Sequence, residues 1–304
     1  MINNFGQLLD SALKIRGKRV VVIYPNNDET FGAIRAALDM GLVRFVLVGD
    51  EELIRQKLQD REIAAGFEVV PEKSVQGALN AAIELIREGK CDVLMKGGVD
   101  TSTMMKAVLQ EDAGIRNGRL LSDIFVLEFP ARAVNKFVMI TDGGMTMAPD
   151  LKNKVELINN AVEVAHALGN PNPKVAVLSA TEFVLPNLPS TLDAAALSKM
   201  NERGQIKGCV VDGPYALDNA ISMEAAEEKR LNSPVAGCAE ILIAANIESA
   251  NSLAKSTTFF AGLRLAHVIV GGKIPVLIPS RADKTDAKVH SIALGVIMSE
   301  FHAF

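Results

Sequence analysis

Short apolar runs, many of them β-branched, alternate along this chain with longer stretches in which apolar positions recur every three or four residues. In the first half, residues 19–24, 44–48, 92–95, 124–127 and 137–140 read as strands. Residues 31–40, 51–59, 74–88 and 101–110 have helical spacing and good helix formers. The second half repeats the alternation, with strands at 175–178, 208–211, 240–244, 267–270 and 275–278. Its helices fit 151–168, 191–201, 222–229, 248–261 and 285–298. Strands that are apolar along most of their length and separated by helices belong in parallel sheets covered on both faces. The pattern predicts an α/β protein whose mostly parallel sheets are flanked by helices. At 304 residues the chain is longer than one core usually supports, so two domains are expected. Glycine and proline cluster at 142–149, ahead of a long amphipathic helix, which suggests a boundary at 148/149.

Composition narrows the classes. Hydrophobic residues at 49% and charged residues at 22% supply enough apolar surface to order the chain, which excludes a disordered protein. A formal charge of −4 argues against a nucleic-acid partner, because neutralising phosphates needs a basic footprint. The first ten residues are polar and unlike a signal peptide. No uncharged apolar stretch approaches the ~18 residues of a membrane span. Three cysteines, Cys91, Cys209 and Cys238, are an odd number without metal-ligand spacing. They read as small thiols in a reducing cytoplasm.

In open α/β sheets ligands bind beyond the carboxyl ends of the strands. The segments that follow the strands are Pro25-Asn26-Asn27-Asp28, Lys96-Gly97-Gly98, Asp142-Gly143-Gly144, Asp212-Gly213-Pro214, Asn246-Ile247-Glu248 and Ser280-Arg281. Glycine, small hydroxyls and basic side chains suit an anionic ligand, although glycine there is also ordinary turn chemistry. No dinucleotide fingerprint, P-loop or nucleophile elbow is present. The histidines, His166, His267, His290 and His302, lack zinc spacing. The chemistry expected here uses no metal, no nicotinamide and no permanently bound cofactor.

Ser280-Arg281-Ala282-Asp283 precedes the last helix. A hydroxyl and a guanidinium there suit a phosphate held at a helix N-terminus. Ser280 with Asp283 three residues on also resembles a capping box. Lys96 would project toward an anion held by the glycine turn, with Thr101 and Ser102 as hydroxyl donors. The same residues also read as a solvated lysine with ordinary capping. The stretch from Asp212-Gly213-Pro214 through Ser233-Pro234 reads as loop-rich, which often carries function.

These segments, in order and over nearly the whole chain, resemble the phosphate acetyl/butyryltransferase family, and its butyryl branch more than its acetyl branch. The matching motifs are Leu94-Met95-Lys96-Gly97, Gly118-Arg119-Leu120-Leu121-Ser122, Asp212-Gly213-Pro214, Leu217-Asp218-Asn219-Ala220-Ile221-Ser222, Ser233-Pro234-Val235-Ala236-Gly237, Asn246-Ile247-Glu248, Asn251, Lys255 and Ser280-Arg281-Ala282-Asp283. The resemblance implies two α/β domains with the active site in the cleft between them. It also implies that the chain end returns to the first domain, giving 1–148 with 279–304, and 149–278.

The implied reaction is reversible acyl transfer between coenzyme A and inorganic phosphate through a ternary complex, both being substrates. The family is usually oligomeric, with a dimer as the unit. Ser280, Arg281 and Asp286 are the implied catalytic residues. Arg281 holds phosphate, Ser280 and nearby amides serve the oxyanion, and Asp286, with Asp283 as second choice, is the base. Lys96, Thr101, Lys106, Asn251, Lys255 and Asp283 are the implied substrate-binding residues.

Four positions depart from the family pattern. The acetyl branch's proposed base falls at Ala287, one residue after Asp286, and its substrate-binding arginine is matched one residue out of register by Lys106. A common Ser-His pair reads Ser122-Asp123, and the glycine before Asn251 is Ala250. Two other hypotheses are a covalent mechanism through a cysteine and a degenerate acyl-CoA binding protein.

Overall fold

The strands at 122–129 and 136–141 pair with each other and with strands after residue 174, and this pairing decides how the chain divides. The computed structural model describes residues 1–130, 136–280 and 282–301. A terminal unit comprises Phe5–Arg119 and Ala266–Phe304, and a central unit comprises Met1–Asn4 and Leu120–Leu265. The sequence division at 148/149 and 278/279 differs from this. The glycine- and proline-rich segment is a strand-to-helix turn inside the central unit, not a linker.

In chain order the elements begin with α1 (Phe5–Ala12), β1 (Arg19–Ile23), α2 (Asp28–Asp39), β2 (Arg44–Gly49), α3 (Glu51–Gln59) and β3 (Phe67–Pro71). There follow α4 (Val75–Arg87), β4 (Val93–Lys96), α5 (Thr101–Val108), β5 (Ser122–Phe129), β6 (Lys136–Thr141), α6 (Leu151–Ala167) and β7 (Lys174–Leu178). The rest are α7 (Pro189–Glu202), β8 (Val210–Tyr215), α8 (Leu217–Ile221), α9 (Met223–Glu228), β9 (Ile241–Ile243), α10 (Ile247–Phe259), β10 (Leu265–Val270), β11 (Val276–Leu277) and α11 (Thr285–Phe301).

In the terminal unit the strand order is β3-β2-β1-β4-β11-β10, parallel except for β10 against β11. Val20, Val21, Val22 and Ile23 of β1 are fully buried, each worth roughly 1.5–3 kcal/mol against exposure. Side chains of Asn27, Asp50, Ser74 and Asp100 accept amide hydrogens at the starts of α2, α3, α4 and α5. Helix α11 packs against α1 and α2 and is buried at every position from Lys288 to Ser299. A Cβ on its Gly295 would stand 3.2 Å from Val93 and 3.3 Å from Leu277, so the helix lies directly on β4 and β11.

In the central unit β5 and β6 form an antiparallel pair, and β6-β9-β7-β8 continue in parallel. Its core gathers Phe125, Leu127, Ile140, Tyr215, Val235 and Leu242. The sheets are therefore mostly parallel and flanked by helices, as the pattern predicts.

Local differences have physical reasons. Helix α1 lies in the segment that reads as polar, because Phe5, Leu8 and Ala12 share one buried face and Phe5 stacks on His290 at 4.1 Å. Edge strand β3 was not anticipated, since neither its burial nor its sequence is continuously apolar. The expected loop-rich stretch contains strand β8, which includes Asp212, Gly213 and Pro214, and then helices α8 and α9.

Candidate active site

The terminal unit winds outward from β1 to β3 and then returns to place β4 on the other side of β1. Such a reversal opens a crevice beyond the carboxyl ends of the two strands. Ile23 lies opposite Lys96, and Leu277 opposite Met95, so β1, β4 and β11 end at one edge. A cavity of about 320 Å³ at that edge is lined by Asn26, Asn27, Asp28, Glu29 and Gly98.

The turn after β4 requires its glycines. A Cβ on Gly97 would stand 2.4 Å from the Ile23 carbonyl, and one on Gly98 2.3 Å from the Asn26 side chain. Their amides donate to the carbonyls of Ile23 at 3.0 Å and Tyr24 at 2.8 Å. Tyr24 itself has φ 50°, a left-handed conformation costing about 1 kcal/mol in a non-glycine residue. Buried Lys96 donates to Thr101 Oγ1 at 3.0 Å, which brings together two of the expected substrate-binding residues. Asp100 caps α5 through the Thr103 amide at 2.8 Å.

After β11 the chain forms a turn held by its own polar groups. The Ser280 amide donates to Asp283 Oδ2 at 2.7 Å, and the Asp283 amide donates to the Ser280 carbonyl at 3.2 Å. His267 Nε2 stands 3.7 Å from the same Asp283 oxygen. Lys288 Nζ donates to the carbonyls of Ser280 at 2.9 Å and Asp283 at 2.6 Å. Burial pushes the Asp283 pKa upward, but His267, the Ser280 amide and the charge of Lys288 outweigh it, and the carboxyl titrates below its usual range. Because α11 starts at Thr285, Ser280 is not its N-cap, and only the Asp283-to-Ser280 half of the capping-box geometry exists. Among the described residues the exposed Ser280 Oγ accepts only a long bond, 3.4 Å, from the Ala282 amide. Since the Ser280 amide is already taken by Asp283, the hydroxyl is the donor this residue has left for a ligand.

Arg281 lies outside the described residues. Asp286 is exposed in the first turn of α11, with Oδ1 on the Ala287 amide at 2.9 Å. Lys106 is exposed in the last turn of α5 and meets no hydrogen-bonding side chain among the described residues. Lys288 carries no assignment from the sequence, and His267 stands out there only for lacking zinc spacing. A lysine among the apolar positions of α11 was the available signal for the first.

In the central unit, the loop after β6 lies beside the start of α10. Buried Asp142 accepts amide hydrogens from Asp123 at 3.1 Å, Gly144 at 3.0 Å, Met145 at 3.1 Å and Thr146 at 2.9 Å. Burial is the main reason its pKa rises to about 6; the neighbouring Asp123 adds to the rise and the amides oppose it. Asn251 donates to the Gly143 carbonyl at 2.8 Å, so the same loop orients it. Lys255 is exposed on α10.

The family model described as "Phosphate acetyl/butaryl transferase" matches residues 66–296. The chain belongs to this family. It is 40% identical over 300 residues to a phosphate butyryltransferase of Clostridium acetobutylicum, covering 98% of this chain and 99% of that one. It is 42% identical over 292 residues to a phosphate acetyltransferase of Thermotoga maritima, covering 93% and 96% respectively. A solved branched-chain phosphotransacylase from Enterococcus faecalis superposes with a TM-score of 0.83 at 30% identity, over 93% of this chain and 99% of that one. The resemblance read from the motifs is thus borne out.

Several family motifs in this chain have structural duties. Asn160 on α6 donates to the Leu120 carbonyl and to Ser122 Oγ, both at 2.8 Å, fixing the Gly118-to-Ser122 motif. Asp212 accepts from Ser198 Oγ at 3.1 Å and from the Tyr215 hydroxyl. Burial pushes the thiols of Cys91 and Cys209 up to about 11, which disfavours a nucleophilic thiolate at either. Cys238 faces Met223 Sδ at 3.2 Å. Among the described residues no group of three or more His, Cys, Asp or Glu could hold a metal, and no helix is long and apolar enough to cross a membrane.

Proposed function

We propose that this protein catalyses the reversible reaction of a short acyl-CoA, butyryl-CoA favoured, with inorganic phosphate to give acyl phosphate and coenzyme A. The observation that carries the reading is the convergence at one sheet edge of the Lys96–Thr101 pair, the Asn26-to-Gly98 cavity and the Ser280–Asp283 turn, in a chain of this family. A phosphate oxygen attacks the thioester carbonyl, and the resulting oxyanion takes a hydrogen bond from the Ser280 hydroxyl. Collapse breaks the carbon–sulfur bond and releases the CoA thiolate, which takes up a proton. In the reverse direction Asp286 removes that proton from the thiol. Arg281 supplies the bidentate cation for phosphate, and Lys96, Thr101, Lys106, Asn251 and Lys255 hold the two substrates. Orientation in a ternary complex does much of the rest.

Coenzyme A release from butyryl-CoA, measured with and without phosphate, tests this. Release that ignores phosphate refutes it, and an Arg281→Ala variant with full activity refutes the role of Arg281. The acetyltransferase relative motivates the alternative substrate, acetyl-CoA. Rates on acetyl-, propionyl-, butyryl- and valeryl-CoA decide between them, since one methylene is worth only about 1–3 kcal/mol of discrimination. Tight CoA binding without turnover of any of the four would instead support the degenerate binding protein. We also propose a cytoplasmic enzyme that assembles as a homodimer or a multiple of it, with no permanently bound cofactor. Sedimentation equilibrium at a monomer mass would refute the assembly.

A further inference from the structure

We propose that Lys288 is a positioning residue for Ser280, holding the Ser280 peptide so that its hydroxyl is the group presented to the reacting oxygen. This rests on the acyl-transfer reading above. Lys288 is 2% exposed, in a helix whose other buried side chains are apolar or small except for His290. An ammonium in such surroundings is costly unless it is satisfied. Among the described residues no carboxylate is bonded to it. Its hydrogen bonds run to two backbone carbonyls, those of Ser280 and Asp283, which lie eight and five residues earlier in the chain. Burial draws its pKa below the usual lysine value, while the charges of Asp283 and Glu29 resist that fall.

The consequence for Ser280 is specific. Asp283 grips its N–H at 2.7 Å and Lys288 its C=O at 2.9 Å, so the serine is clamped on both sides while its hydroxyl stays exposed. An apolar side chain at 288 would fill the same space in α11 but leave both carbonyls without this donor. The Ser280 carbonyl would then keep the long bond from the Asp283 amide, 3.2 Å, in place of the lysine's at 2.9 Å. The peptide would be held less tightly, and a misplacement of about 1 Å is enough to cost about a hundredfold in rate.

The test compares wild type, Lys288→Met, Ser280→Ala and the double variant in phosphate-dependent CoA release. It is joined to hydrogen exchange of the Ser280 and Asp283 amides in the unliganded proteins. For Lys288→Met we expect kcat to fall about a hundredfold, KM for acyl-CoA to change less than about twofold, and the two amides to exchange faster. The double variant should be no slower than Ser280→Ala, because the lysine acts through the serine. Additive losses, or wild-type kcat and exchange in Lys288→Met, would overturn the proposal. Should Lys288→Met fail to fold, Lys288→Arg keeps the charge and alters the reach. Its loss should likewise vanish in the Ser280→Ala background, and additivity there overturns the proposal equally. A wild-type protein with no phosphate-dependent release sinks the acyl-transfer reading instead. Amide exchange in Lys288→Met then still decides whether the lysine holds the Ser280 peptide.

Discussion

Replacing Asp142 by asparagine sets two electrostatic effects against each other. The carboxylate accepts four amide hydrogens, which favours its ionised form, yet it is buried and lies close to Asp123, which favours the neutral form. Burial and Asp123 win, and the pKa rises from the usual 3.8 to about 6. Between these pH values the folded chain holds a proton that the unfolded chain has lost, so stability falls as pH rises. Below pH 3.8 both forms are protonated and the effect is absent; above about 6 it is complete. Its size is about 3 kcal/mol, from the gap between 3.8 and about 6 at about 1.4 kcal/mol per pH unit.

Asp142→Asn removes the titration while keeping an oxygen for the amides of Asp123, Gly144 and Met145. It loses the bond from Thr146, a pH-independent cost of about 1 kcal/mol. Urea unfolding of both proteins from pH 4 to pH 8, taken as a difference, cancels every other titrating group. Wild-type stability relative to the variant should fall by up to about 3 kcal/mol between pH 4 and pH 7. A difference that stays flat, or rises with pH, would refute the reasoning, because the four amides would then have outweighed burial. Asp123→Asn should move the fall to lower pH.

Three further outcomes are expected. Gly97→Ala puts a Cβ 2.4 Å from the Ile23 carbonyl and 2.8 Å from the Pro25 nitrogen, backbone atoms that cannot swing aside. It should cost about 2 kcal/mol of stability, and a thermal midpoint equal to wild type would contradict this. Asp193→Ala strips buried Lys154 of its partner at 2.6 Å and should destabilise the chain by about 3 kcal/mol in urea unfolding, and a loss below about 0.5 kcal/mol would contradict it. Ser280→Ala should lower kcat about a hundredfold or more with little change in KM for acyl-CoA, and a wild-type kcat would remove the serine from the mechanism.

The fold was legible wherever apolar runs were continuous. Strands β1, β2 and β4 are buried on both faces beyond Arg19 and Arg44, so nearly every position reports the sheet. Strand β3 sits at the edge with exposed Glu68, and α1 buries only one narrow face, so neither leaves a strong signal. The unit boundary was illegible because glycine and proline mark any tight turn, whereas the deciding fact is the pairing of β6 with β9, about a hundred residues apart in sequence. At the site, the strand-end glycines and the Lys96–Thr101 pairing could be anticipated from local spacing. The contacts of His267 and Lys288 could not, since they depend on packing α11 and β10 around one turn.

The same turn argues for a division of labour between its two acidic residues. A base must take up a proton without dismantling the site around it. Asp283 is held ionised by the Ser280 amide, His267 and Lys288, and protonating it would weaken the bond that fixes Ser280. Asp286 is exposed, and among the described residues only one of its oxygens is engaged, by the amide of the following residue. It can accept a proton while leaving the Ser280 clamp intact. Asp283 therefore suits the role of holding the serine in place, and Asp286 suits that of the proposed base.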